Sequence, residues 1–324
     1  MIRSLVNDGR KGWVDALRGL AILLVMYGHS VKGLPVFFVF TSPVKMPLFF
    51  AITGYVFSVK EWRMFLSQLF RKVIVPWIIL GTLPSLVTIP FHGFVPTVDR
   101  LLNMMSGKEL WFFPCFIIGE VIHYTIRRYC NKDIWIVAAS FVCLVIGLIL
   151  HRYNNLDYAM FNRALVVQPF FLIGYLFRQF EHQLTGLKWH KVIIAVIAYI
   201  GLCFLSKAVF HGQTIDVHMN RYINVPYSLT LIFLGCFTLF MAASKAGFRS
   251  WVMSFIGQNT LVLYIWHGIA ISLLVKAASV AGWVMPFNWW AALIKVLWAC
   301  VVCGVAAIIL NKYFPFAVGK RKSK

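Results

Sequence analysis

Apolar residues fill long runs along this chain, and short polar gaps separate the runs. A helix that crosses a bilayer needs about 17 to 25 mostly apolar residues. By that measure the runs predict ten helices, near residues 14–31, 44–59, 73–91, 110–126, 134–150, 164–177, 192–209, 225–243, 255–275 and 289–311. The pattern therefore predicts an all-α membrane protein, a polytopic bundle of about ten transmembrane helices.

Composition supports this interpretation. Hydrophobic residues make up 60% of the 324 residues and charged residues only 13%, with a mean hydropathy of +0.79, which is far from the values of soluble domains. We see no internal repeat, low-complexity stretch or soluble appendage. We therefore expect residues 1–324 to form a single integral membrane domain with short cytoplasmic tails at about 1–13 and 312–324.

The net charge of +21 raises the question of a nucleic-acid partner, but the basic residues occupy the gaps between apolar runs rather than one patch. Membrane topology explains them better, since Lys and Arg collect on the cytoplasmic side. Alternate gaps hold twenty Lys and Arg in one set and nine in the other. This asymmetry predicts that both termini are cytoplasmic and that the basic C-terminal tail contacts anionic membrane lipid. No nucleic-acid partner is expected.

The first apolar segment contains the most informative pair of polar residues. Arg18 and His29 are eleven residues apart, close to three helical turns, so they share one helix face at a separation of roughly 16 Å. An imidazole with a pKa near 6.5 is suited to take a proton from a hydroxyl. A guanidinium is suited to hold phosphate or carboxylate, and Asp15 lies where it could orient Arg18.

Other polar residues within or beside apolar runs have a structural and a functional interpretation. Arg71 and Lys72 are either cytoplasmic anchors or anion ligands, and Glu109 is either a helix cap or a catalytic acid. Tyr55 follows a segment interrupted by Pro47 and Gly54, where a packing kink is the simpler explanation. Asn259 offers a polar contact in the membrane interior, and His267 is expected to orient its neighbours rather than act as a base.

Metal chemistry is not predicted. Glu120 and His123 have the i, i+3 spacing of a ligand pair, but no third or fourth ligand is evident from the sequence.

Five separated stretches together resemble the acyltransferase-3 family of integral membrane acyltransferases, especially its short polysaccharide O-acetyltransferase members. They occur in the family's order and span most of the chain, at Trp13–His29, Met46–Tyr55, Leu110–Pro114, Phe170–Tyr175 and Ile256–His267. The first stretch is the most specific because of its Arg-then-His spacing.

The resemblance implies transfer of an acyl group, usually acetyl from acetyl-CoA, to a sugar hydroxyl of a cell-surface polysaccharide or its lipid-linked precursor. His29 would be the catalytic histidine and Arg18 its associated cation, with Arg71 or Lys72 as further donor ligands. The family's Arg-x-x-Arg element is incomplete here, because Gln68 stands at its first position. The donor would be a substrate, so no permanently bound cofactor is expected. The protein would reside in a bacterial inner (plasma) membrane.

Two questions stay open at this level. The hydroxyl could attack the thioester directly or after an acyl-enzyme step. The alternative from another class is a transporter or flippase for an anionic or lipid-linked substrate, in which the intramembrane Arg and His serve binding and proton coupling. No duplicated half is evident, which argues against the familiar transporter plans.

Overall fold

The computed structural model describes residues 11–31, 35–87, 94–153, 160–211, 215–248, 250–286 and 288–320. The ends of both predicted tails, 1–10 and 321–324, lie outside these ranges, as do residues 88–91 of the third predicted span. Of the described residues, 83% are helical, and none lies in a strand. The predicted fold class, an all-α membrane protein, is confirmed.

The helices follow one another with short connections. In chain order they are α1 Gly12–Ser30, α2 Pro35–Lys45, α3 Pro47–Val56, α4 Trp62–Leu69, a π-helical segment Phe70–Ile74, α5 Val75–Val87, α6 Phe94–Met105, α7 Phe112–Tyr129, α8 Asp133–Tyr153, α9 Phe161–Val166, α10 Gln168–Gln179, α11 Glu181–Gly186, α12 Trp189–Val209, α13 Val225–Lys245, α14 Trp251–Gln258, α15 Thr260–Val280, α16 Trp289–Tyr313 and a 3₁₀ turn Pro315–Val318.

Within the described residues, seven helical stretches are long and apolar enough to cross a membrane. They are Phe37–Val56, Trp62–Pro84, Asp133–Tyr153, Trp189–Val209, Val225–Lys245, Thr260–Val280 and Trp289–Tyr313. Ten spans are therefore not confirmed. α1 and α7 fall outside the seven, and both carry ionisable residues, including Asp15 and Arg18 in α1 and Glu120 in α7.

Several predicted helix boundaries are wrong. The apolar run 44–59 belongs to a longer stretch that begins earlier and ends at Val56. The run 164–177 is divided at Val167 into α9 and α10, where Pro169 fits a helix start because its missing N–H needs no partner there. The run 255–275 is divided at Asn259 into α14 and α15. Hydropathy alone registers none of these interruptions.

Contacts group the chain into two compact units, each made of segments distant in sequence. The first comprises residues up to Tyr55, Ile173–Asp216 and Arg221–Ile308. Its core includes an aromatic cluster in which the ring of Trp13 lies 5.0 Å from Tyr55, 6.2 Å from Phe177 and 5.8 Å from Phe240. The prediction of a single domain stays a prediction.

The second unit comprises Val56–Leu172, Val217–Asn220 and the residues from Ile309 onward. One of its cores consists of Phe57, Phe65, Leu69 and Tyr124. The rings of Phe65 and Tyr124 stack at 4.2 Å, and the Tyr124 hydroxyl donates to the Lys60 carbonyl at 2.8 Å. This core joins α4 to α7, so it fixes the start of the helical stretch that carries Arg71 and Lys72.

Candidate active site

α1 is one uninterrupted helix that contains Asp15, Arg18 and His29. Near its start, Arg18 Nη1 donates to Asp15 Oδ1 at 3.2 Å. The second carboxylate oxygen of Asp15 accepts from Gln258 Nε2 at 2.8 Å. The Asp15 side chain is only 2% exposed, whereas that of Arg18 is 24% exposed. The buried carboxylate therefore links the accessible guanidinium to the end of α14.

Glycine allows this link to form. A Cβ built on Gly257 would lie 1.9 Å from the Asp15 carbonyl oxygen, and one built on Gly19 would lie 2.7 Å from the Met253 carbonyl oxygen. The backbones of α1 and α14 thus approach more closely than side chains would permit, as small residues allow in membrane helix pairs. Gln258 follows Gly257 directly, so the same approach brings its amide to Asp15.

The other end of α1 meets a second histidine. The ring centroids of His29 and His267 are 5.2 Å apart, and His29 is exposed whereas His267 is buried. His267 Nδ1 lies 2.9 Å from the Leu263 carbonyl oxygen and 2.8 Å from that of Tyr264. Because carbonyl oxygens only accept, this nitrogen carries the proton. Neutral His267 then has its lone pair on Nε2.

The stretch Ile256–His267 therefore contacts α1 at two levels. Gln258 lies at the Asp15–Arg18 level and His267 at the His29 level. Because α1 is continuous, the eleven-residue spacing of Arg18 and His29 corresponds to an axial separation of roughly 16 Å. A fixed cation at one level and an exposed imidazole at the other could hold an elongated anionic substrate while a proton is removed at its far end.

Tyr55 lies in a different setting, within the aromatic cluster of the first unit. Its hydroxyl accepts from Lys11 Nζ at 2.6 Å and donates to Glu181 Oε2 at 2.8 Å, while Lys11 also pairs with Glu181 Oε1 at 2.8 Å. Burial lowers the pKa of the Lys11 ammonium, but the hydrogen bonds and charges of Glu181 and Tyr55 outweigh it, and the pKa lies above its usual value. Here Tyr55 joins the start of α1 to α11.

Asn259 and Glu109 also have local partners. Asn259 lies at the break between α14 and α15, where its Nδ2 donates to the Phe255 carbonyl at 2.8 Å. Glu109 accepts from Arg100 Nε at 3.3 Å. The N-cap of α7 is Trp111, with no side-chain cap hydrogen bond. Glu109 is therefore not the N-cap residue of α7, and its carboxylate pairs with an arginine on α6.

Arg71 and Lys72 belong to the second unit and lie in the π-helical segment Phe70–Ile74. Single π-helical turns within α-helices occur frequently at functional sites. Arg71 Nε is buried and has no hydrogen-bond partner among the described residues. Lys72 is exposed and lies close enough to Glu120 for a Coulombic interaction. These features keep both residues as candidates for anion binding.

Glu120 and His123 gain no third ligand in the described part of the chain, where no group of three or more His, Cys, Asp and Glu side chains could hold a metal ion. His123 is fully buried, with its ring 4.9 Å from both Phe57 and Phe171.

Sequence reasoning missed Gln258. The neighbouring Asn259 was predicted as the polar contact instead. No signal in the sequence distinguishes an amide that bonds to a buried carboxylate from one that bonds to its own helix. Gln258→Leu removes the shorter of the two hydrogen bonds to Asp15. We expect it to lower the free energy of unfolding by about 1.5 to 3 kcal/mol, the usual worth of a hydrogen bond to a buried charged group.

Thermal unfolding in detergent checks this expectation. Gln179→Leu serves as the control, because Gln179 is exposed and donates to the Tyr175 hydroxyl at 3.1 Å. In an Asp15→Asn background the Gln258→Leu cost should shrink, because the charge that needs the amide is gone. An equal cost in both backgrounds would contradict the Asp15–Gln258 link.

Comparison with known proteins supplies the family. The sequence model of the acyltransferase-3 family, described as an acyltransferase domain, matches residues 11–309. No curated protein and no solved structure matches the chain. The family match covers nearly the whole chain, including α1 and the stretch Ile256–His267. The chain therefore belongs to the acyltransferase-3 family and is a membrane acyltransferase.

Proposed function

We propose that this protein transfers an acetyl group from acetyl-CoA to a sugar hydroxyl of a cell-surface polysaccharide or its lipid-linked precursor. The observation that carries the proposal is the pairing of exposed His29 with buried His267, whose ring centroids are 5.2 Å apart. His29 lies on α1, and Arg18 lies about three turns away on the same helix. The base and the anion ligand therefore share one helix face, along which a phosphate-bearing acyl donor can lie.

In the proposed reaction His29 takes the proton of the acceptor hydroxyl as its oxygen attacks the thioester carbonyl carbon. The new C–O bond forms, the C–S bond breaks, and the CoA thiolate leaves and takes up a proton. His267, fixed by its two backbone carbonyls, positions the His29 ring. An acyl-enzyme route gives the same products, and in both routes alignment of the reactants supplies much of the acceleration.

The donor's phosphates are proposed to bind cationic side chains. Arg18 is the candidate in the first unit, and Arg71 and Lys72 are the candidates in the second. The expected separation of roughly 16 Å between Arg18 and His29 is comparable to the reach of an extended pantetheine arm. Acetyl-CoA is a substrate in this scheme, and the proposal includes no resident cofactor.

Arg18→Lys tests the donor role. The substitution keeps the charge but loses the bidentate fork, so we expect the Kd of a non-hydrolysable acetyl-CoA analogue to rise about tenfold, or about 1.4 kcal/mol. Arg128→Lys is the control, since Arg128 is an exposed arginine near the end of α7. If folded Arg18→Lys binds the analogue as tightly as wild type, Arg18 is a structural partner of Asp15 and the donor is held elsewhere.

The proposal includes a location in a bacterial inner membrane with both termini in the cytoplasm, supported by the distribution of Lys and Arg. His29 then lies toward the outer half of its helix. Acetyl-CoA is made inside the cell, so this placement fits transfer to a glycan acceptor exposed at the outer face. Membrane lipid is a further expected partner.

The direct experiment incubates purified protein with acetyl-CoA labelled in its acetyl group and with glycan and lipid-linked sugar acceptors. The proposal predicts label on the sugar as an ester that mild alkali releases. Label confined to protein or phospholipid would overturn the sugar assignment, and transfer of succinyl but not acetyl would overturn the donor assignment.

A further inference from the structure

The C-terminal residues Pro315–Lys320, here called the C-terminal turn, fold into a compact structure directly after α16. Pro315 favours the end of the helix because its ring cannot continue it. Gly319 N donates to the Phe316 carbonyl at 3.1 Å, and Lys320 N donates to the Pro315 carbonyl at 2.9 Å. Ala317 is only 2% exposed. The turn is thus a packed element, and it lies beyond the last residue matched by the family, Ile309.

The turn packs against the basic π-helical segment, and both belong to the second unit. Gly319 has φ +73°, a conformation that favours glycine. A Cβ there would lie 2.9 Å from the Lys72 Cα, 3.1 Å from the Arg71 carbonyl oxygen and 3.2 Å from that of Lys72. The contact is backbone against backbone, and it admits no side chain at position 319.

A third cationic residue lies beside this contact. Lys320 is half-buried and follows the glycine that contacts Lys72, so the turn brings the Lys320 backbone next to the segment that carries Arg71 and Lys72. Arg71 Nε is a buried donor without a hydrogen-bond partner among the described residues, and burying such a donor is costly unless something accepts from it. Glu120 is close enough to Lys72 for a Coulombic interaction, so one carboxylate lies near these cations.

A phosphate group meets these requirements, because it offers several strong acceptor oxygens to guanidinium and ammonium donors. We propose that the C-terminal turn and the Arg71–Lys72 segment together form a phosphate-binding site, with Lys320 as a ligand. Within the proposed function, on which this assignment to the donor rests, the phosphate is one of those of CoA. An anionic phospholipid headgroup carries the same chemistry.

Gly319→Val tests whether the docked turn is needed. The matched control is Gly282→Val, because Gly282 has nearly the same φ, +78°, but a Cβ there meets nothing within 4 Å. Both substitutions place a side chain in a strained conformation, and only the first pushes the turn away from Lys72. Lys320→Gln removes the charge without disturbing the backbone, and Lys320→Arg should restore binding.

The measurement is the Kd of CoA, and of dephospho-CoA as a probe that lacks the 3′-phosphate, for protein in neutral detergent. Phosphatidylglycerol retained from mixed micelles is measured by mass spectrometry. We expect Gly319→Val and Lys320→Gln to raise the Kd of CoA about tenfold, the effect of losing one charge-assisted hydrogen bond. Gly282→Val should bind CoA as wild type does. Loss of phosphatidylglycerol retention alone would support the site with lipid as the source of phosphate.

If both variants keep wild-type CoA affinity and lipid retention, the proposed site is overturned. The outcome for the donor is separate. If Arg18→Lys weakens CoA binding and Gly319→Val does not, the acetyl-CoA proposal stands but the C-terminal turn has no part in donor binding. A wild-type protein that retains phosphatidylglycerol through Lys320 but does not bind CoA would reject the donor proposal and keep the site.

Discussion

His29→Gln is expected to lower the turnover of acetyl transfer about a thousandfold while the Kd of the acetyl-CoA analogue stays near the wild-type value. A positioned general base contributes about 10² to 10⁴ in rate, and glutamine has no basic lone pair to replace it. His29 is exposed, so the substitution removes little packing. Steady-state rates together with analogue binding separate the two effects, since a base contributes to the transition state rather than to donor affinity.

The matched control is His182→Gln, which changes an exposed histidine on α11 and should leave turnover unchanged. His267→Gln should have a smaller effect than His29→Gln, because His267 contacts the base rather than the hydroxyl in the proposed scheme. Equal losses at both positions would indicate that the two histidines act as one unit. Wild-type turnover by folded His29→Gln would remove His29 from the mechanism.

Gly257→Ala is expected to give the largest loss of stability. The added methyl group would lie 1.9 Å from the Asp15 carbonyl oxygen, a backbone atom within a helix, so α1 and α14 must separate. Overpacking commonly costs about 1 to 3 kcal/mol and sometimes more, and this contact belongs at the upper end. We expect the Tm to fall by about 5 °C and the yield of monodisperse protein to drop.

Gly268→Ala is the control, because a Cβ on Gly268 in α15 meets nothing within 4 Å and alanine is the better helix former. Its Tm should equal or exceed that of wild type. If Gly257→Ala were as stable as wild type, the close approach of α1 and α14, and with it the placement of Gln258 beside Asp15, would be wrong.

The helical class follows from composition and long apolar runs, and it could be predicted because a bilayer leaves a spanning chain few alternatives. The number and limits of the spans could not. The run that contains Asn259 reads as one apolar stretch, yet Asn259 lies at a break between two helices and bonds back to Phe255. A single polar residue changes a hydropathy average little, whereas a broken helix is decided by local hydrogen bonding.

The helical spacing predicted a shared face for Arg18 and His29 because both lie on one element, where 3.6 residues per turn fixes the geometry. Gln258 could not be predicted as a partner of Asp15, since its position depends on a backbone approach between helices more than 200 residues apart in sequence. The packing of Gly319 against Lys72 could not be predicted either, because it also joins segments that are far apart in sequence. Contacts within one helix can be computed from spacing, while contacts between helices require the fold.

In the proposed reaction an acyl group leaves CoA for an acceptor hydroxyl, with His29 as the base. The most direct measurement is the release of free CoA by purified protein in a defined bilayer, with acetyl-CoA supplied and the glycan acceptor present or absent. We expect acceptor-dependent release of one CoA for each acetyl ester formed, and loss of both in His29→Gln. Movement of labelled acceptor across the bilayer without release of CoA would contradict the proposed reaction and indicate a transporter.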